Sequence, residues 1–128
     1  MLRVKTKIGP SKTHGTGVFA DQFIPKGTTI WEFTHGFDLY VKSQDIEGLP
    51  APARAQMLKY CYRDKRTGDY ILCADDARFF NHSEAPNTID MPGPEGRTLA
   101  ARDIAAGEEL TCDYHLFDAD AHEKLAHT

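Results

Sequence analysis

Three short stretches hold the side chains best suited to chemistry. Arg78-Phe79-Phe80-Asn81-His82-Ser83 runs on into Pro86-Asn87, Glu109-Leu110-Thr111-Cys112-Asp113-Tyr114 follows about thirty residues later, and Gly15-Thr16-Gly17 lies near the N-terminus. Asn81 and His82 carry donors and acceptors, and Tyr114 a phenol. Taken alone, the first stretch is a turn of Asn, Ser and Pro beside a salt-bridged Arg, and Tyr114 is a core tyrosine with a satisfied hydroxyl. Gly15-Thr16-Gly17 alone is a turn; with no third glycine and no helix after it, it is not a dinucleotide fingerprint. The three cysteines, Cys61, Cys73 and Cys112, form no C-x-x-C. That argues for reduced, buried thiols and against a disulfide framework or a structural zinc site. His122, Glu123 and His127 read as a polar, frayed tail and not as metal ligands. Asp75-Asp76 suits a solvated turn.

Together and in this order, the stretches resemble the signature of the SET-domain protein lysine methyltransferases, in their short form without a zinc-binding post-SET segment. That family moves a methyl group from S-adenosylmethionine to a lysine amine, leaving S-adenosylhomocysteine. The resemblance runs from about Val4 to Phe117. It implies a cofactor site of Gly15, Thr16, Gly17, Arg78, Asn81 and His82, with the backbone of His82 at the adenine edge. It implies that Tyr114 is the active-site tyrosine. Lys59-Tyr60-Cys61-Tyr62-Arg63 resembles the family's tyrosine-x-aromatic stretch, which makes Tyr60 the second residue at the reacting amine. Trp31 to Gly36 matches an aromatic-x-Gly strand loosely and implies Phe33 in the channel wall. Cys112 stands where many members hold Phe or Tyr, which implies room for more than one methyl group. Phe117 is the residue a short member would bring against adenine. Two departures are Glu84, where a Cys is frequent, and the lack of any Cys after Cys112.

The chemistry this resemblance implies is economical in side chains. A sulfonium is already an activated methyl donor, so the cofactor carries the hard step. The protein must align amine, methyl and sulfur, and must present the amine neutral. With a lysine pKa of ~10.4, deprotonation at pH 7 costs roughly 4–5 kcal/mol. A narrow apolar channel and a nearby positive charge both lower that cost. The alternatives are a non-catalytic module of the same fold that binds a peptide, and transfer to an amine other than lysine.

Composition sets the outer bounds. The chain has 128 residues, 41% of them hydrophobic, with seven Phe, five Tyr and one Trp, which suits one ordinary globular domain, 1–128. Seven Pro and ten Gly favour short strands and turns. The expected class is mainly β: a SET fold of several small twisted sheets, with one short helical insert at about 37–62 and a C-terminal pseudoknot before the tail, 115–128. The net charge of −4 and the lack of a basic run argue against direct nucleic-acid binding. A mildly acidic surface suits a basic, lysine-bearing protein or peptide. No apolar run reaches spanning length and the first residues lack a signal-peptide core, so the expected setting is cytoplasmic, or nuclear in a eukaryote or virus. A second copy could complete the substrate groove as a homodimer.

The elements that must position these residues follow from periodicity and turn chemistry. Residues 2–8 alternate apolar and cationic, a strand pattern, before a loop through Gly9-Pro10-Ser11 to Gly17. Strands are expected at Val18–Ala20, Thr28–Phe33, Tyr70–Ala74 and Glu109–Tyr114. Turns are expected at 24–27, 63–69 and 104–108. Ser43–Glu47 opens a helical turn, and Ala51–Tyr60 is a helix with Pro52 in its first turn. Asn87–Met91 and Arg97–Ala101 flank a Pro92-Gly93-Pro94-Glu95-Gly96 loop as a hairpin.

Overall fold

The computed structural model describes residues 1–91 and 96–126. The chain builds four small sheets. β1 (Thr6–Pro10) and β2 (Thr16–Ala20) pair antiparallel, Ile8 opposite Val18 and Gly9 opposite Gly17. The first strand therefore lies later than its alternation suggests; Leu2 makes only an isolated bridge to Trp31. Gly9 and Pro10 join the ladder because Gly15, at φ +50°, turns the chain back onto them. That backbone conformation is open to glycine at no cost.

β3 (Thr29–Glu32), β8 (Thr88–Met91) and β9 (Arg97–Ala100) form the second sheet in the order β3-β9-β8. β8 and β9 pair antiparallel, Thr88 opposite Ala100, as the hairpin reading requires; its Pro92-Gly93-Pro94-Glu95 loop lies outside the described residues. The third sheet is β4 (Leu39–Val41), β6 (Tyr70–Leu72) and β5 (Cys61–Arg63), with β6 central. The insert holds two helices instead of one, α1 (Ser43–Glu47) and α2 (Ala51–Tyr60). No residue of α2 is fully buried; Met57 packs partly buried against Ile46, Cys61 and Tyr70, and the strand that follows carries Cys61 into the core.

The main core gathers Val18, Ala20, Ile24, Ile30, Ala100, Ile104 and Leu110. A second cluster of Trp31, Phe33, Ile71 and Cys73 joins the second and third sheets.

β7 (Asn81–His82) and β10 (Thr111–Cys112) form the last sheet and run parallel. The expected strand at 109–114 is regular only at 111–112, because neighbours on both sides compete for its backbone. Leu110 N–H donates to the Val18 carbonyl at 2.8 Å. On the other side Asn87 donates to the Glu109 carbonyl and accepts from Thr111 N–H, at 2.8 and 2.9 Å. This clasped segment is the expected pseudoknot. Tyr114–Leu116 then turns as a single 3₁₀ turn.

The tail is not frayed through residue 126. α3 (Ala121–Leu125) docks it, with Ala121 buried. Asp118, 1% exposed, accepts from Arg63 N–H at 3.1 Å and from Lys124 Nζ at 2.6 Å. Lys124 also donates to the Cys61 carbonyl at 2.9 Å. A buried carboxylate with this many donors is a stable anchor, which polarity along the tail does not reveal. Among the described residues no helix is long and apolar enough to cross a membrane.

Candidate active site

The parallel pairing of β7 with β10 sets His82 opposite Cys112 and brings the two longer stretches into one place. The Tyr114 hydroxyl donates to the Phe80 carbonyl at 2.6 Å, and Tyr114 N–H donates to His82 Nδ1 at 3.1 Å. Burial holds the Tyr114 phenol far above its ordinary pKa, so it stays neutral. Its one proton is spent on Phe80, which leaves its oxygen as an acceptor.

Asn81 ties the third stretch to the other two. Its Nδ2 lies 3.0 Å from the His14 carbonyl, 3.2 Å from the Thr16 carbonyl and 2.9 Å from Glu109 Oε2. Ser11 Oγ donates to the same Glu109 carboxylate. Gly17 leaves space for that carboxylate: a Cβ there would lie 2.5 Å from Glu109 Oε2.

Two cavities meet at Tyr114. An open cleft of roughly 880 Å³ is lined by His14, Gly15, Thr16, Phe79, Asn81 and His82 among others. A smaller inner cavity, roughly 150 Å³, is lined by Trp31, Cys61, Tyr62, Cys73, Asp90, Cys112 and Phe117 among others. Lys59, Tyr60, Arg78, Phe80, Tyr114 and Lys124 border both. The volume of the cleft is within the usual range for a cofactor or small-molecule site. The inner cavity is largely aromatic and apolar; at its junction with the cleft the Tyr114 hydroxyl and the Phe80 carbonyl lie beside three cationic side chains, Lys59, Arg78 and Lys124. Positive charge around the junction favours the neutral form of an amine there.

A protein-family model described as SET domain matches residues 15–115. The chain belongs to the SET domain family. At 31% identity over 131 residues it is similar to the histone-lysine N-methyltransferase ATX2 of Arabidopsis thaliana, an alignment covering 97% of this chain and 12% of that protein. The chain therefore spans a small part of this curated relative. Its fold is similar to that of a Plasmodium falciparum protein assigned as a histone methyltransferase, at TM-score 0.61 and 22% identity, covering 88% of this chain and 95% of that one. It is also similar to a chain of the apo Polycomb Repressive Complex 2 of Chaetomium thermophilum, at TM-score 0.72 and 21% identity, covering 95% and 16%.

Within this SET domain, Gly15, Thr16, Asn81 and His82 lie at the cleft, Tyr60, Arg78 and Tyr114 at the junction, and Cys112 in the inner cavity. Arg78 donates to the Asp75 and Cys73 carbonyls at 3.4 and 3.2 Å, and its guanidinium sits 5.3 Å from the Tyr60 ring centroid. Three of the expected residues fall elsewhere. Phe117 does not line the cleft: the turn at 114–116 carries it to the inner cavity, edge-on to Tyr62 at 4.9 Å and Tyr114 at 6.0 Å. Phe33 lines neither cavity; it is buried against Trp31 and stacked on Tyr40 at 4.5 Å, and Trp31 occupies the cavity wall. Gly17 borders Glu109 and not the cleft.

Tyr62, Trp31, Phe80 and Asp90 were not singled out from the sequence. Alternation in β5 carries the signal for Tyr62: Cys61 faces the core, so Tyr62 takes the other face. Burial pushes the Tyr62 phenol and the Cys112 and Cys73 thiols well above their ordinary pKa values, so all three are protonated wall groups. His82, Asp113 and His115 bring ligand-type atoms within 4.8 Å of one another. Both His82 nitrogens already have partners, Tyr114 N–H and, at 3.0 Å, Glu84.

Proposed function

We propose that this SET domain is an S-adenosylmethionine-dependent methyltransferase acting on the side-chain amine of a protein lysine. The observation that carries the reading is the junction, where Tyr60, Phe80 and Tyr114 border both an open cleft and an apolar cavity. A protein lysine is favoured as acceptor by the name of the Arabidopsis relative, a histone-lysine N-methyltransferase.

The cleft residues fit the cofactor. Gly15 would present a Cβ to open space, with nothing within 4 Å, so its surface there is free backbone against which a ligand can close. Tyr60, Phe79 and Phe80 supply aromatic wall, and His82 also lines the cleft. When bound, S-adenosylmethionine supplies an activated methyl on a positively charged sulfur. The chain's own residues do the rest. The aromatic walls of the cavity strip water from a lysine amine, which favours its neutral form. Tyr114 Oη, fixed by its bond to Phe80, accepts from the amine and orients its lone pair toward the cleft. Carbonyl and phenol oxygens around the junction also accept weak contacts from a polarised methyl group.

The first test is calorimetry of S-adenosylmethionine on folded protein free of copurified cofactor, followed by a lysine-peptide array. Binding together with methylation that falls on the order of 10²-fold in Tyr114→Phe supports the reading. Folded protein that binds no cofactor refutes it and favours a peptide-binding module.

A further inference from the structure

The inner cavity contains two buried polar atoms with no hydrogen-bond partner among the described residues, Trp31 Nε1 and Asp90 Oδ2. The Asp90 case runs against the strand that carries it. Alternation in β8 turns Asp90 inward while Ile89 is left 44% exposed, the reverse of what burial favours. One carboxylate oxygen accepts from Thr98 Oγ1 at 2.7 Å; the other is shut from solvent with nothing to accept from. Burial pushes this carboxyl up to about 6. The cavity's four cations make no hydrogen bond to this oxygen: Arg78 and Lys124 are bonded to backbone carbonyls, Lys124 to Asp118 as well, Lys59 lies over the Tyr60 ring, and Arg97 on the neighbouring strand is exposed.

Position gives this orphan acceptor a use. A surface groove lies on the far side of the inner cavity, lined by Tyr40, Asp64, Lys65 and Leu116 among others. It shares Tyr62, Asp90, Met91, Gly96 and Phe117 with the cavity. None of those five borders the cofactor cleft. Asp90 thus stands at the groove end of the passage and Tyr114 at the cleft end.

We propose that Asp90 is a specificity-determining residue: a small turn of its carboxylate brings Oδ2, closed off in the free protein, to the charged amine of the substrate at the mouth of the cavity and so selects cationic amines over neutral chains of the same length. An ammonium has donors only, which is what an unpaired carboxylate oxygen lacks. The contact is made on entry. Further in, near Tyr114, the aromatic walls and the cations Arg78 and Lys124 favour the neutral amine, so Asp90 is not the group that takes the proton in the transfer step. Trp31 Nε1 is a donor and gains nothing from an ammonium, so selection for charge falls to Asp90. The assignment rests on the methyltransferase reading above.

Trp31 is the only tryptophan and lines the cavity, so its fluorescence reports occupancy. The protein is titrated at about pH 8, where Asp90 is ionised, with n-butylammonium chloride and with n-butanol, which share one chain length. Native protein is expected to bind butylammonium at least about tenfold better. Asp90→Asn is expected to bring the two affinities close to equal. Native protein that takes both equally or does not respond to butylammonium, or a variant that keeps the preference, overturns the assignment. Cofactor calorimetry on the same samples separates the failures: bound S-adenosylmethionine without charge selection removes only the role of Asp90, whereas no cofactor binding removes the enzyme reading.

Discussion

A carboxylate kept desolvated for a ligand should weaken the free protein, and Asp90 gives that cost a measurable size. Its carboxyl is raised from an ordinary 3.8 to about 6, first by burial and then by the charge of Asp113, with the Thr98 hydrogen bond opposing. The folded form therefore binds this proton more tightly than the unfolded chain. Stability from this group is fully present below about pH 3.8 and is lost as pH rises through about 6. At pH 8 both states are ionised and the whole gap, (6 − 3.8) × 1.36, or about 3 kcal/mol, counts against folding. At about pH 4.5 the same linkage leaves about 1 kcal/mol.

Asp90→Asn keeps the shape and removes the titration. The buried amide has its own unpaired N–H, so the absolute stability of the variant mixes two effects. The change with pH does not. Between about pH 4.5 and pH 8 the variant should gain about 2 kcal/mol relative to native protein. Urea unfolding followed by Trp31 fluorescence at both pH values measures it, provided the dependence on urea stays the same in both proteins. A difference between the proteins that does not change with pH, or that runs against the variant as pH rises, would refute the assignment of a desolvated, orphaned carboxylate.

Two further outcomes follow from the same geometry. Gly17→Ala pushes a Cβ into Glu109, whose carboxylate cannot move freely because Ser11 and Asn81 hold it. The variant should lose about 1–3 kcal/mol by urea unfolding and bind S-adenosylmethionine more weakly. Adding Glu109→Ala should cost less than the sum of the two single changes; strict additivity would show that the contact does not matter. Cys112→Tyr places a ring in the inner cavity beside Tyr114. Mass spectrometry with excess cofactor should show products beyond monomethyl for native protein and monomethyl only for the variant, and identical products from both would refute a size limit at this position.

What the sequence conveyed depended on whether the signal was local. Turns and helices with their own chemistry were legible: Pro52 starting α2, and the turn before Gly27, which sits at φ +86°. The strands β4 and β5 were not, because each is three residues long and exists only through its pairing with β6. The length of the last strand was overstated for a related reason. Glu109 to Tyr114 has strand composition, but its backbone is shared between Val18 and Asn87, partners more than twenty residues distant that no local pattern reports. Phe117 could not be assigned to a side of Tyr114 from spacing, since a single 3₁₀ turn decides it.

The site also shows why its three stretches occur together. Asn81 reads as a ligand contact, yet its amide is committed to the carbonyls of His14 and Thr16 and to Glu109. Glu109 in turn fills the space that Gly17 leaves open. One residue from each stretch is thus needed for the other two to fit. Replacing any one leaves a buried polar group unpaired or a side chain without space, at a cost of about 1–3 kcal/mol. What this lock positions is backbone: the Gly15–Thr16 edge of the cleft on one side, and the Phe80 carbonyl that fixes Tyr114 on the other. On this argument Asn81→Ala weakens cofactor binding by releasing the loop, and its loss of stability should appear in the absence of any ligand. A direct contact with the cofactor, by contrast, would lower affinity and leave the ligand-free protein as stable as before.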